Sequence, residues 1–291
     1  MFNFLEEVQL SLPGTLDKSG MQPTISPAST RAVIHLLQLA NEIGTSLQVP
    51  GGEEHPDRPA LIMNRLDAII SVDDVSRIIH VQAGITLGTV EEKANGNGWT
   101  LGVPTELHGE QVGAWLARGG LGRADKANDP VVQSVAGLEM VLPSGAELSI
   151  RPAPRRAVGP DLIHAVIGAR GRLGIIVGAH LVAQAKLAES LFAFSFPDSR
   201  AASRALTWIR GHGVRPLRTA TRGNELQLVL QVEGPRYQAA TKVMRRVVAE
   251  NGGTEITNHR EIGVSQTPLP ASENVFDRLA MELDPNGILQ P

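Results

Sequence analysis

The 291-residue chain contains no cysteine, which excludes disulfides, cysteine-ligated iron–sulfur clusters, a thiol nucleophile and any cofactor tethered through sulfur. Aromatic residues make up only 3%, with a single tyrosine, Tyr237. Burial must therefore rest on Leu, Ile, Val and Ala, and chemistry that needs a phenol has one candidate. There is no excess of positive charge. The formal net charge of −3 gives no electrostatic footprint for nucleic acid or an anionic membrane. No apolar run approaches the length of a membrane span. The N-terminus carries Glu6 and Glu7 and lacks a long apolar core, so it does not read as a signal peptide. These absences lead to the expectation of a cytoplasmic protein.

Against that background, 42% apolar residues are enough for a sizeable core in one large domain or two ordinary ones. Residues 1–21 read as an irregular leader. From Thr24 the text reads strand, helix, strand: Ser29 or Thr30 caps a helix whose Val33, Leu36, Leu37 and Ala40 share one face, Gly44 ends it, and Ser46–Val49 is extended. "ALIMNRL" and "AIISVD" follow as strands. "IIHVQAGITLGTVEEKANGNGW" is strand, turn and helix, with Thr86 as cap and Asn95–Gly98 as stop. A hairpin at 134–150 turns at Pro143-Ser144-Gly145, and a glycine loop at 168–174 leads into a buried strand at 175–183. Beyond Lys186 two successive β–α units of similar length suggest a small ferredoxin-like lobe.

Three glycine loops are the candidate sites. The first, Pro50-Gly51-Gly52, follows an extended segment, where N–H groups can approach a phosphate with no Cβ in the way. Glu53 and Glu54 come next and carry the wrong charge for that task, so an ordinary turn is the competing reading. The second loop is Val112-Gly113-Ala114-Trp115-Leu116-Ala117, followed by Gly119, Gly120 and Gly122. It reads first as a close-approach surface for a ligand, with a glycine-rich loop around a buried Trp115 as the competing reading. The third is Gly168-Ala169-Arg170-Gly171-Arg172-Leu173-Gly174, before Ile175. It precedes a strand, so it is no Rossmann fingerprint; its arginines read as phosphate contacts or as a solvated patch offsetting the glutamates. The eight histidines show no paired metal spacing, and no metal is expected. His35 and His80 sit within helix and strand patterns and read as structural.

In this order the pieces resemble the FAD-linked oxidases of the vanillyl-alcohol oxidase superfamily. The branch most similar holds glycolate oxidase flavin subunits, D-lactate dehydrogenases and alkyl-dihydroxyacetone-phosphate synthases. The segments that carry the resemblance are "ISPASTRAVIHLLQLANEIG", "VPGGE", "VQAGITLGTVEEKANGNGWTLGVP", "GEQVGAWLARGGLG", "SVAGLEMVLPSGAEL", "IGARGRLGIIVGAHL" and the tail "DPNGILQP", spread over about residues 22–291. The resemblance implies an α+β fold: a PCMH-type FAD-binding domain of two α+β subdomains at 22–186, a reduced ferredoxin-like cap at 187–262, and a tail at 263–291 packing back on the FAD domain. It implies non-covalent FAD held by Pro50, Gly51, Gly52, Pro104, Val112, Gly113, Ala114, Ala117, Gly122, Gly168, Ala169, Gly171, Gly174 and Ile175. It also implies oxidation of a 2-hydroxy acid or related alcohol, with electrons passed to an acceptor or a partner subunit.

Two departures from the family pattern bear on that function. The cap is much shorter than in this branch, and the first loop has Glu53 and Glu54 where the family has glycine followed by Thr or His. Unit like charges about 4 Å apart repel by roughly 4 kcal/mol at an effective dielectric near 20, so Glu53 and Glu54 are tolerable only if they face solvent. No acid–base pair can be named; His108 is the one histidine placed near a flavin ring. The competing reading is a catalytically inactive relative serving as a structural or regulatory subunit of a larger flavoprotein. If Gly113 faces the cofactor, Gly113→Leu is expected to abolish flavin retention and leave the thermal transition unchanged.

Overall fold

The computed structural model describes residues 2–120, 134–152, 162–186, 188–216, 218–232, 234–257 and 279–289. These fall into two compact units. One holds the described residues up to 184 together with 279–289; the other holds those from 185 to 257.

The first unit is built on two apolar clusters. The helix Thr30–Ile43 starts where Ser29 accepts a hydrogen bond from the Ala32 N–H, and ends where Gly44 adopts a left-handed conformation (φ 71°). Its face of Val33, Leu36, Leu37 and Ala40 is fully buried, as the helical spacing requires. Ser29→Ala is expected to lower stability by about 1 kcal/mol, read from thermal unfolding. Residues expected to be an irregular leader instead form a helix, Phe2–Ser11. Phe4 and Val8, one turn apart, are both buried against the same cluster, which also contains Leu36 and Leu37. A three-stranded sheet lies in this layer. Thr24–Ile25 pairs antiparallel with Leu16–Asp17 and parallel with Ala60–Leu61.

The segment expected as a strand at 46–49 makes only a single bridge, Gln48 to Ala60. Its other backbone bonds run elsewhere: the Leu47 N–H donates to the Ile288 carbonyl at 2.7 Å, close to the C-terminus.

The second cluster surrounds a five-stranded sheet ordered Ile69–Asp73, Ile78–Gln82, Ile175–Val182, Val135–Val141, Glu147–Ile150, antiparallel throughout. The hairpin between its last two strands turns at Gly145 (φ 83°), as Pro143-Ser144-Gly145 foretold. The helices Leu87–Gly96, capped by Thr86, and Val112–Ala117 pack on this cluster.

The other unit is a four-stranded antiparallel sheet with the order Arg218–Arg222, Glu225–Gln231, Glu189–Ser195, Thr254–Glu255. Counted along the chain this is the 4-1-3-2 arrangement of a ferredoxin-like fold. The helices Ser199–Gly211 and Gly234–Glu250 share one apolar core with the sheet, including Phe194, Ala205, Leu228 and Met244. The expected antiparallel sheet with two helices is present. Among the described residues no helix is long and apolar enough to cross a membrane.

Candidate functional site

The three glycine loops meet in the first unit. The first loop follows Val49 into a turn in which Gly52 donates to the Val49 carbonyl at 3.0 Å. Gly51 is left-handed (φ 78°), and a Cβ there would stand 2.7 Å from both the Ala114 carbonyl oxygen and Ala117 Cβ. The second loop is thus pressed directly on the first. The third docks on both. Gly168 and Arg170 donate to the carbonyls of Leu116 and Ala117, at 3.1 and 2.8 Å, and a Cβ on Gly171 (φ 77°) would meet Val49 at 2.5 Å. Gly119 and Gly168, both at positive φ, face one another with only each other's Cα nearby. Only glycine permits approaches this close at these backbone angles.

The structure brings together Pro50, Gly51, Gly52, Ala114, Ala117, Gly168, Ala169 and Gly171. It gives other members of the expected set different work. Val112 is fully buried in the core. Gly113 packs on the strand segment before it, where a Cβ would lie 2.7 Å from Ala83 Cβ. That corrects the expected outcome for Gly113→Leu: the larger side chain would lever the helix off Ala83, so flavin loss would be accompanied by a lowered thermal transition. Gly174 (φ 148°) makes room for the Val141 carbonyl, 2.5 Å from its missing Cβ, and Ile175 is buried beside it as the first residue of its strand. Pro104 accepts from the Leu107 N–H in a short turn, and His108, at the end of that turn, packs over Gly88. Gly122 lies outside the described residues.

Both glutamates of the first loop are exposed. Glu53 pairs with Arg170 at 3.1 Å, with both side chains about half exposed. A pair so wet contributes about 0–1 kcal/mol, but it answers the charge question. The first loop's glutamate is balanced by the third loop's arginine. The alternative reading of the third loop's arginines, a solvated patch offsetting the glutamates, describes this pair, formed across 117 residues. Beside the same loop, His55 Nε2 is buried without a hydrogen bond.

Residues 22–151 match the FAD-binding-domain family. These 130 of the 291 residues resemble an FAD-binding domain. A curated relative, the uncharacterized FAD-linked oxidoreductase YgcU of Escherichia coli (strain K12), is 28% identical over 167 residues, covering 56% of this chain and 34% of that protein. A probable mitochondrial D-2-hydroxyglutarate dehydrogenase of Oryza sativa subsp. indica is 27% identical over 187 residues, covering 61% and 34%. The chain thus spans about a third of the length of these relatives. In fold it is similar to a solved alkyldihydroxyacetonephosphate synthase, with a TM-score of 0.72 at 19% identity, covering 87% of this chain and 61% of that one.

The residues of this FAD-binding domain fit the cofactor. The N–H groups of Gly51, Glu53 and Gly171 find no acceptor among the described residues, so they remain as donors for diphosphate oxygens. Arg172 supplies a positive charge beside them, and Arg170, paired with Glu53, lines the same place. Because Glu53 and Glu54 face solvent, replacing them by Gly and Thr is expected to change FAD affinity by less than about threefold. Fluorescence titration of wild type and the double variant measures this directly.

Proposed function

We propose that the chain is an FAD-dependent oxidoreductase, or the flavin subunit of one, that oxidises a 2-hydroxy acid or related alcohol. The observation carrying this reading is the convergence of three glycine loops with unpartnered N–H groups and Arg170. Bound FAD would supply the hydride-accepting chemistry. The chain's own contribution is to hold the diphosphate by backbone donors, to offset its charge with Arg172, and to keep Glu53 and Glu54 turned outward, Glu53 on Arg170. The relative named for D-2-hydroxyglutarate supports the substrate class.

A second reading is favoured by one observation. The histidine expected near the ring, His108, is committed to packing over Gly88, and the expected set contains no other acid–base side chain. That suits a catalytically inactive flavin-domain subunit of a larger flavoprotein. Purified protein loaded with FAD should reduce a redox dye when given glycolate, D-lactate or D-2-hydroxyglutarate. Stoichiometric FAD binding with no dye reduction by any of them favours the second reading. Failure to bind FAD overturns both.

A further inference from the structure

The outer face of the five-stranded sheet carries a group that neither the FAD site nor the proposed activity uses. His80, Glu139 and His180 come from its three central strands, Ile78–Gln82, Val135–Val141 and Ile175–Val182. Each is flanked by deeply buried neighbours: Ile79 and Val81, Leu138 and Met140, Ala179 and Leu181. Strand alternation therefore sends all three side chains to the face opposite the core. His80 and His180 are directly paired across two strands, and their rings stack at 3.9 Å between centroids. Glu139 Oε1 lies 3.2 Å from His80 Nε2 and 3.9 Å from His180 Nε2.

Two glycines open the space for this arrangement. Gly178 pairs with Glu139 across the sheet, and a Cβ there would come within 2.5 Å of Glu139 Oε2. Gly137 pairs with His180, and a Cβ there would come within 2.8 Å of the imidazole Cδ2. Despite its neighbour at 3.2 Å, His80 Nε2 is buried and makes no hydrogen bond, a costly state for a polar atom unless something else engages it. Among the described residues this is the one group of three such side chains with ligand atoms all within 4.8 Å of one another.

We propose that His80, Glu139 and His180 form a binding site for a divalent late first-row transition-metal ion of the zinc class. Two imidazole nitrogens and one carboxylate oxygen are a donor set such ions accept, with a further position left to water. Donors about 2.0–2.2 Å from a tetrahedral ion stand roughly 3.3 Å from one another. The separations of 3.2 and 3.9 Å already bracket that value; to aim both nitrogens at one ion the two rings turn out of their stack. The three side chains retain 15–36% exposure, which gives an ion access from solvent. The bound ion would tie together three strands, one of which, Ile175–Val182, follows directly on the third glycine loop. Pattern reading missed the site because the ligands lie on separate strands, with no local spacing to betray them.

The test uses the full chain without an affinity tag, stripped with chelator and titrated with Co(II) by absorption and with Zn(II) by competition against a chromophoric chelator. One equivalent should bind, and Zn(II) should raise the thermal transition. His80→Ala and His180→Ala should each weaken binding by about a hundredfold or more. His212→Ala, at an exposed position of the other unit, should change nothing. Gly178→Ala keeps all three ligands but pushes on a flexible carboxylate, so it should fold normally and weaken binding about tenfold. It also keeps the proposal testable if a histidine variant fails to fold. Absence of a bound equivalent overturns the site, as does binding left unchanged by the histidine variants or by Gly178→Ala. None of these readouts depends on FAD.

Discussion

Gly84→Ala is expected to destabilise the FAD-binding domain by at least about 4 kcal/mol, a loss seen only when backbone packing itself is violated. A Cβ at this position would stand 1.7 Å from the Met63 carbonyl oxygen and 2.9 Å from that of Leu66. No rotamer relieves a clash with main chain. The Gly84 N–H also donates to the Leu66 carbonyl at 2.8 Å, so retreat from Met63 sacrifices a hydrogen bond as well. Gly84 thereby joins the segment after Leu61 to the turn that precedes the helix Leu87–Gly96. Gly96 is the control. It ends the same helix, and nothing lies within 4 Å of its added methyl, so Gly96→Ala should stabilise by about 0.5–1 kcal/mol through lost chain entropy. Urea unfolding followed by circular dichroism measures both. Near-equal midpoints for the two variants would show that the close approach at Gly84 is not what holds these segments together.

That contrast marks what the sequence disclosed and what it did not. Features specified within a few residues were legible. Ser29 and Thr86 cap their helices, Gly44 ends one in the left-handed region, and Gly145 turns the hairpin, each at its expected place. The alternation of the ferredoxin-like unit was equally local. What failed was anything decided by a distant partner. The 46–49 segment is apolar enough for a strand, yet its bonding is shared between Ala60 and Ile288. Gly113 and Gly51 look alike in a glycine-rich text; one packs on Ala83 and the other on a neighbouring loop. The helix at Phe2–Ser11 was within reach, because Phe4 and Val8 are spaced one turn apart, but no capping residue drew attention to it.

Asp284→Ala tests the most distant of these dependencies, the one that links the tail to the cofactor loops. Asp284 is 1% exposed. Its two carboxylate oxygens accept from the N–H groups of Ile288 and Leu289, each at 2.9 Å. Between them Gly287 takes a left-handed turn (φ 65°), and its carbonyl accepts from the Ser46 hydroxyl at 2.9 Å. The closed loop presents Ile288 and Leu289 to the cluster containing Leu47 and Val49, and Val49 is the residue on which Gly52 and Gly171 both pack. Removing the carboxylate leaves two buried donors unpaired, at about 1.5 kcal/mol or more each, for a loss of about 3 kcal/mol. For a unit of this size the thermal transition should fall by roughly 6–12 °C. Asp284→Asn keeps the shape but turns one acceptor into a donor facing an N–H, so it should recover less than half of that loss. FAD affinity should fall in Asp284→Ala below its transition, because the segment under Pro50–Gly52 loses the partner of the Leu47 N–H. Stability within about 0.5 kcal/mol of wild type would sink the anchor. Lowered stability with unchanged FAD affinity would mean that Val49 holds the loops in place without help from the tail.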